Sequence, residues 1–316
     1  MISLPLFLRA VQGVLSIIIM FMIGYVISRL GWIDEKISKA FSRIILNVAL
    51  PCYMIYNIMS NYSRNQFESL AFNLIIPFLS IAITYILGII FSIIFKVKNS
   101  RRGVFRTAFF TSNCIFIGLP INLALFGTKG VPYLLLYYIA NTTSFWTIGT
   151  YEISKDGNHE TKHTFFTKGT VKRVLSPALM GFSFALVLVF LQIQLPDFII
   201  KSCEYVGNLT TPLAMLFIGY VLFSVKIRKI KIEFETILII IGRFIISPLI
   251  VIGLAHIFKT PTLIMKVFVI QSAMPTMTTT SIVSKEYGAD YEFATVAVVL
   301  TTVLSMAVIP IYMMLL

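Results

Sequence analysis

The sequence predicts an all-α polytopic membrane protein in which ten transmembrane helices form two inverted five-helix repeats. The first observation is composition: 58% of the 316 residues are hydrophobic, 12% are charged and the mean hydropathy is +0.90. A soluble domain is nearer half apolar and a quarter charged, so a soluble enzyme and a disordered or collagen-like chain are excluded. The second observation is a series of long apolar runs, and the third is a pair of landmarks that recur at one spacing.

Ten apolar runs are each long enough for a helix of about 20 residues to cross the hydrocarbon core of a bilayer. Numbered as spans 1 to 10, they have approximate limits of 7–29, 38–59, 69–95, 104–126, 131–152, 174–194, 198–224, 234–257, 263–284 and 291–315. Together they leave no room for a sizeable soluble domain.

The basic residues predict how the chain is oriented. Of 26 basic residues, eighteen fall in segments on one side of the predicted membrane and six on the other, while Arg43 and Arg243 lie inside spans. Because cytoplasmic loops collect lysine and arginine, we expect an integral protein of the plasma (inner) membrane with both termini outside. The basic cytoplasmic loops also account for the net charge of +13. We therefore expect the protein to lie in the lipid bilayer and not to bind nucleic acid.

The longest polar segment, 154–173, is predicted to be a cytoplasmic loop between a first five-span repeat, 1–153, and a second, 174–316. Two landmarks recur 161 residues apart: Asn47-x-x-x-Pro51 with Asn208-x-x-x-Pro212, and Phe126-Gly127 with Tyr287-Gly288. Halves with an odd number of spans lie in opposite orientations, so the constant spacing predicts an inverted repeat. Unrelated proline kinks are the alternative.

Spans 4 and 9 each carry proline and a polar cluster near the middle of an apolar run. The two stretches are Thr111-Ser112-Asn113-Cys114-Ile115-Phe116-Ile117-Gly118-Leu119-Pro120 and Gln271-Ser272-Ala273-Met274-Pro275-Thr276-Met277-Thr278-Thr279-Thr280-Ser281. Unpaired backbone groups are costly in hydrocarbon unless they line a cavity, so broken helices at matching places point to a transport site. Free N–H groups at half-helix N-termini suit a carboxylate. The alternative is a kink with hydroxyls bonded to their own backbone.

Eight residues are candidates for substrate binding: Asn113, Pro120, Asn141, Arg243, Gln271, Pro275, Thr276 and Thr278. We expect Asn113, Asn141 and the backbone around the two prolines to bind carboxylate. Gln271, Thr276 and Thr278 would complete the cavity. Arg243, well inside span 8, would bias the cavity toward anions, because an intramembrane arginine is a functional hypothesis by default. The alternatives are interhelical packing for the polar residues and an ion pair or snorkelling for the arginine.

Arg43, near the cytoplasmic end of span 2, is expected to snorkel, with Glu204 as a candidate partner. No span centre carries paired acidic residues, which disfavours cation/proton exchange. Proton symport stays open, as does sodium coupling through the hydroxyls and freed carbonyls near 276–281. Neither cofactor nor metal is expected. His159-Glu160-Thr161-Lys162-His163 fits the HExxH pattern of zinc proteases, but it lies in a short polar loop, so a membrane zinc protease is a remote alternative.

Three stretches carry a resemblance to a known family. They are 112–120 followed by Phe126-Gly127, then Ala273-Met274-Pro275 with Lys285-Glu286-Tyr287-Gly288, and Leu46-Asn47-Val48-Ala49-Leu50-Pro51. They are similar to the fourth-helix crossover, the ninth-helix crossover and the second helix of the auxin efflux carrier family. The chain resembles the bacterial malate-permease-like members, which are related to the plant PIN carriers but lack the long central hydrophilic loop of the long PIN carriers.

The resemblance implies two crossing broken helices, with Gly118 part of the first crossover. It implies a scaffold formed by the helices of spans 1, 2, 6 and 7, which holds a homodimer contact. It also implies a transport unit formed by the helices of spans 3–5 and 8–10, which moves in an elevator-like step. Asn113 and Asn141 match polar positions that the plant relatives use to bind a carboxylate.

The combined prediction is a secondary transporter, not an enzyme, that moves a small organic anion such as malate or a similar dicarboxylate by alternating access. An auxin-like or other monocarboxylate carrier, a sodium-coupled bile-acid-type carrier and a channel-like uniporter are the alternatives.

Overall fold

The computed structural model describes residues 4–61, 71–157, 177–224 and 232–316. Throughout these ranges the chain is helical and forms no strand, and its one isolated β-bridge joins Ser112 to Thr276. Most of the predicted loop 154–173, including the HExxH-like sequence, lies outside the described residues.

The described first half contains eight α-helices. They are α1 Leu4–Arg29, α2 Glu35–Ile44, α3 Leu50–Asn61, α4 Ile75–Ile94, α5 Arg102–Phe110, α6 Gly118–Phe126, α7 Val131–Ser144 and α8 Thr150–Asp156. Short 3-10 turns precede α4, α5 and α7, at Ala71–Leu74, Asn99–Arg101 and Gly127–Gly130. The side chain of Asp34 caps α2 by accepting a 2.7 Å hydrogen bond from the amide of Ile37.

The described second half contains a further eight. They are α9 Pro177–Phe190, α10 Asp197–Gly207, α11 Thr210–Ser224, α12 Phe234–Ile241, α13 Ser247–Ile257, α14 Thr262–Ser272, α15 Thr279–Glu286 and α16 Tyr291–Leu315. The carboxylate of Asp290 caps α16 through the amide of Phe293 at 3.0 Å. Helix therefore occurs within every one of the ten predicted spans.

Several helical stretches have the length and apolar composition to cross a bilayer. Among the described residues six qualify: 35–60, 72–94, 118–156, 197–224, 234–257 and 291–312. Three shorter apolar helices run from Leu15 to Arg29, Leu179 to Phe190 and Thr262 to Ser272. The predicted class, an all-helical polytopic membrane protein, is confirmed, while the number of ten crossings and the inverted repeat stay predictions.

In the part of the chain that the structure describes, three pairs of helices are joined without a break by a single π-helical turn. The turns are Ile45–Ala49 between α2 and α3, Phe145–Gly149 between α7 and α8, and Gly242–Ile246 between α12 and α13. Such turns insert one residue into the helical ladder and re-aim the side chains around it, and they are frequent at functional sites. Asn47 and Arg243 lie inside two of these turns.

Small residues allow close helix packing in one group of helices. Helix α1 packs along α11, where a β-carbon on Gly24 would lie 2.8 Å from Cα of Leu216. Helix α3 packs on α9 and α10, and a β-carbon on Gly181 would lie 2.7 Å from Cα of Pro51. Glycine at such contacts lets helix backbones approach in the membrane. Helix α2 also packs on α11, so helices α1, α2, α3, α9, α10 and α11 pack mainly on one another.

The remaining helices pack around the two broken spans. Helix α5 lies against α4 and α8, and α13 lies against α4 and α14. Buried aromatic side chains join the two halves here, with Phe109 and Phe145 in one cluster with Ile239 and Phe293. The glycines that follow α6 and α15, Gly127 and Gly288, both adopt positive φ, 61° and 69°. A residue with a side chain would be strained in this conformation.

Candidate functional site

The two broken spans cross at their breaks. Residues 111–117 between α5 and α6 meet residues 273–278 between α14 and α15, and the antiparallel bridge between Ser112 and Thr276 joins them. The amide of Asn113 donates a 2.8 Å hydrogen bond to the carbonyl of Pro275. The two segments supply main-chain partners to each other, which meets part of the demand that every backbone group in the membrane be paired.

Asn141 supplies further partners to the first break. Its Oδ1 accepts a 2.8 Å hydrogen bond from the amide of Ser112, and its Nδ2 donates a 2.8 Å bond to the carbonyl of Ser112. A side chain of helix α7 thereby forms the pair of hydrogen bonds that the main chain of a neighbouring β-strand would form. Asn141 is 1% exposed, so this pairing is made away from solvent.

Asn113 links the two half-helices that leave the crossover. Its Nδ2 donates a 2.7 Å hydrogen bond to Oγ1 of Thr278, the residue before α15. Its Oδ1 accepts a 3.2 Å bond from the amide of Phe116, near the start of α6. One amide side chain therefore holds both half-helix N-termini in register.

A cavity of about 310 Å³ lies between the crossover and the helix formed by α2 and α3. Its walls come from α2 and its π turn, the two breaks, α7 with its π turn, and the start of α9. The residues are Ser42, Arg43, Leu46, Asn47, Ser112, Asn113, Cys114, Ile115, Phe116, Tyr138, Asn141, Thr142, Trp146, Pro177, Met277, Thr278 and Thr279. This volume is at the lower end of the range for small-molecule sites.

The charge of the cavity wall is positive. Arg43 lines the cavity and is exposed, and among the described residues it forms no ion pair. The expected partner, Glu204, accepts a 2.9 Å hydrogen bond from the hydroxyl of Tyr56 instead. No acidic side chain of the described residues lines the cavity. The hydroxyl of Thr142 is buried there and has no hydrogen-bond partner within the described ranges, so it can donate to a ligand.

Arg243 has a different position from the expected one. It is 0% exposed and does not line the cavity. Its Nη2 donates to the carbonyls of Ser272 and Met274 at 2.6 and 2.9 Å, and its Nε donates to Met274 at 3.1 Å. The reason is the direction of α12 and α13, which turns this side chain toward the C-terminal end of α14 rather than toward the cavity.

The other candidates also surround the crossover without lining the cavity. Gln271 is fully buried and donates from Nε2 to the carbonyl of Gly118 at 3.2 Å. Thr276 donates from Oγ1 to the carbonyl of Ala108 at 3.2 Å, and its amide donates to Oγ1 of Thr301. Pro120 is buried in the first turn of α6 and Pro275 in the second break. These residues hold the crossover together, while Asn113, Asn141 and Thr278 of the eight candidates reach the cavity.

Of the repeat landmarks, Asn47 lines the cavity and the others do not. Pro51 is near the start of α3, packed against Gly181, and Asn208 and Pro212 are exposed around the start of α11. Sequence reasoning did not assign Arg43, Tyr138 or Trp146 to the site. A basic residue one turn before Asn47 was a usable signal for Arg43, whereas nothing in the sequence distinguishes Tyr138 or Trp146 from other aromatic residues of the spans.

The crossover has opposite electrostatic ends. The residues that lead into α6 and α15, 112–116 and 277–279, line the cavity, so two half-helix N-termini point their partial positive charge toward it. The C-termini of α5 and α14 lie on the side of Arg243, whose guanidinium meets their carbonyls. An anion is therefore favoured at the cavity. No cluster of three potential metal-ligating side chains occurs in the part of the chain that the structure describes.

Two broken helices cross, inside an apolar helical chain, beside a cavity whose wall carries an arginine and several amide and hydroxyl groups. This arrangement defines a membrane transporter built on discontinuous helices. Residues 9–313 match the family described as membrane transport protein, and the chain belongs to this family. The resemblance to the auxin efflux carriers is thereby confirmed. Membership of a transporter family is consistent with a protein that is not an enzyme and that is integral to a membrane.

Three relatives match almost the whole chain. An uncharacterized transporter of Methanocaldococcus jannaschii is 27% identical over 95% of this chain and 96% of its own length. An uncharacterized transporter of Methanothermobacter thermautotrophicus is 23% identical over 97% of this chain and 98% of its own length. A protein of Rhizobium meliloti that is provisionally named a malonate transporter is 22% identical over 91% of this chain and 89% of its own length.

Proposed function

We propose that this membrane transporter is a secondary carrier for a small dicarboxylate such as malate or malonate. The observation that carries the proposal is the wall of the cavity beside the crossover. It combines the cation of Arg43, the N-termini of two half-helices and uncharged amide and hydroxyl groups, with no carboxylate from the described residues. Anions bind at helix N-termini because free N–H groups and the helix dipole both favour negative charge.

The two kinds of positive charge support a substrate with two carboxylates. Thr278, Thr279 and the segment around Asn113 lie on one wall, and Arg43 lies on the wall formed by α2. One carboxylate would lie at the half-helix N-termini beside Asn113, and the other would approach the guanidinium, which suits carboxylate geometry. The provisional name of the Rhizobium meliloti relative, a malonate transporter, agrees with this substrate class.

The position of the cavity supports an elevator-type mechanism. One wall belongs to the group of helices that pack mainly on one another, the scaffold predicted from spans 1, 2, 6 and 7. The other walls belong mainly to the crossover and α7, which are parts of the predicted transport unit of spans 3–5 and 8–10. Movement of the second group past the first would carry a bound anion across the bilayer. The inverted repeat, the homodimer through the scaffold and a plasma-membrane location with both termini outside complete the proposal.

A monocarboxylate carrier is the second candidate, because Leu46, Phe116 and Trp146 give the cavity an apolar side that an aromatic acid could occupy. The test that separates the two is counterflow of labelled malonate and malate into proteoliposomes preloaded with the same unlabelled acid, with a panel of competitors. We expect accumulation that succinate suppresses and that indole-acetic acid suppresses weakly.

Accumulation suppressed by monocarboxylates alone would replace the substrate and keep the site. Flux without counterflow would indicate a channel-like uniporter and contradict a carrier. Flux that requires sodium and excludes malate would favour the bile-acid-type alternative.

A further inference from the structure

Arg243 is a buried cation that the proposed substrate site does not use. The residue is 0% exposed, and no acidic side chain of the described residues forms an ion pair with it. Its guanidinium instead contacts main-chain oxygen atoms: Ser272 at 2.6 Å, Met274 at 2.9 and 3.1 Å, and Phe109 at 3.5 Å. A charge at this depth is costly without compensation, so these carbonyls are its counter-charge.

The carbonyls that converge on Arg243 come from the broken ends of helices. Phe109 lies in the last turn of α5, Ser272 is the last residue of α14, and Met274 lies in the break that follows. Carbonyls in the last turn of a helix have no partner within the helix and carry the negative end of its dipole. Two helix C-termini and an unwound segment thus form one electronegative pocket.

Local sequence brings the side chain into this pocket. Arg243 follows Gly242 in the π turn between α12 and α13, and a β-carbon on Gly242 would collide with the ring of Phe109. Glycine therefore permits the helix to approach the end of α5 closely. The following residue delivers its guanidinium to the crossover.

This set of oxygen atoms is the kind of ligand set that a hard monovalent cation uses. In carriers with discontinuous helices, C-terminal ends of half-helices and unwound carbonyls coordinate the coupling sodium ion, while the N-terminal ends face the anionic substrate. Here the N-termini face the cavity of Arg43, and the C-terminal carbonyls are taken by a guanidinium. An arginine side chain keeps its proton in proteins and is covalently attached to the chain, so this positive charge can neither be lost nor leave the site.

We propose that Arg243 is a built-in counter-cation of the crossover, standing in the place of a coupling sodium ion, so that transport does not require sodium. The inference rests on the proposed carrier function, which supplies the transport cycle. Of the coupling modes that the sequence leaves open, the inference excludes binding of a coupling sodium ion at the crossover.

The first experiment measures malonate counterflow by the wild-type protein and by Arg243→Ala in sodium, choline and guanidinium buffers. We expect wild-type flux to agree within about twofold in sodium and choline. We expect Arg243→Ala to lose at least about tenfold in choline and to recover several-fold with low millimolar guanidinium, and partly with sodium. A sodium requirement in the wild type would overturn the proposal, as would a folded Arg243→Ala protein that responds to neither cation.

A second readout does not depend on the substrate. The apparent unfolding midpoint of purified Arg243→Ala should rise in guanidinium or sodium relative to choline, while that of the wild type should not. Arg43→Ala is the matched control, because it removes a cavity cation and should show no such response. Absence of malonate flux and of malonate-induced stabilisation in the wild type would defeat the proposed function, yet the cation response would still decide this inference.

Arg243→Lys covers the case in which the alanine variant does not fold. It keeps a fixed positive charge and loses the planar fork, so it should transport with reduced stability and remain independent of sodium. Stimulation of Arg243→Lys by sodium would contradict the proposal.

Discussion

Asn141 pairs with the main chain of Ser112 in both directions, accepting from its amide and donating to its carbonyl, each at 2.8 Å. A side chain of the unbroken helix α7 thus takes the place that a strand neighbour would have beside the unwound segment. The pairing ties α7 to the crossover, so the two are expected to move as one body in a transport cycle.

Asn141→Ala should weaken both the fold and the transport activity. The change leaves the buried N–H of Ser112 without its partner, which costs about 1–3 kcal/mol. The carbonyl of Ser112 loses one of two hydrogen bonds and keeps the 3.0 Å bond from the amide of Cys114. An unfolding titration in mixed micelles would measure the loss. Asn208→Ala, which changes an exposed asparagine of the second half of the chain, is the control and should change stability little. Wild-type stability and affinity in Asn141→Ala would show that this pairing does not hold the site.

Asn113 and Thr278 should be energetically coupled. Their 2.7 Å hydrogen bond joins the starts of the two half-helices at the cavity. Asn113→Ala should lower malonate affinity about tenfold or more, and Thr278→Val should have a smaller effect. A double-mutant cycle on binding should give a coupling energy of about 0.5–3 kcal/mol. Additive effects would indicate two independent contacts, and unchanged affinity in both Asn113→Ala and Asn141→Ala would reject the proposed site.

Arg43→Gln should weaken binding of dicarboxylates more than binding of monocarboxylates. A guanidinium at the cavity wall attracts a dianion more strongly than a monoanion at the same distance. We expect about a tenfold loss of malonate affinity, or about 1.4 kcal/mol, and a smaller loss for a monocarboxylate. Equilibrium binding to the purified protein would test this, with Glu204→Gln as the control outside the cavity. Equal losses of affinity for both substrate classes would show that Arg43 does not bind a second carboxylate.

Gly118→Ala should distort the crossover because a β-carbon would collide with Oε1 of Gln271. Gln271 would have to give up its 3.2 Å hydrogen bond to the carbonyl of Gly118, and overpacking of this kind costs about 1–3 kcal/mol. Transport should fall with stability. Gly118→Ala combined with Gln271→Ala should be less harmful than the sum of the two changes, since the shortened side chain makes room. A fully additive pair would show that the collision is not the cause.

Glu152→Gln should destabilise the helices around the first broken span. Glu152 is 4% exposed, and it accepts hydrogen bonds from Arg106 at 2.9 Å and from Tyr85 at 2.7 Å. Removing one partner of a buried ion pair leaves the other charge uncompensated and costs about 3–5 kcal/mol. The unfolding titration should show this loss, while Lys39→Gln, which breaks the exposed pair with Glu35, should show none. Equal effects of the two changes would contradict the argument.

Part of the site was readable in the sequence. Proline and polar residues inside spans 4 and 9 predicted two breaks, and the breaks occur at 111–117 and 273–278. Asn113, Asn141 and Thr278 reach the cavity as expected. They were predictable because a polar residue in an apolar span needs a partner or a cavity whatever the neighbouring helices do.

The two arginines were not readable in the same way. Both lie inside spans, and sequence alone favoured Arg243 for attracting anions and assigned Arg43 to snorkelling. The structure places Arg43 on the cavity wall and Arg243 on the carbonyls at the C-terminus of α14. The position of Arg43 one turn before Asn47 was a usable signal, whereas nothing in the sequence around Arg243 tells which way its side chain turns.

The sequence by itself determined the class of protein, the helical spans and the places where two of them break. Those features follow from a local condition. Each span must pair its own backbone N–H and C=O groups and present apolar side chains to the bilayer. Tertiary structure decided which cation meets the cavity and which meets the helix ends. That choice depends on how the helices rotate and approach one another. The rotation is determined by the π turns at Ile45–Ala49 and Gly242–Ile246, and the approach by the close contact of Gly242 with Phe109.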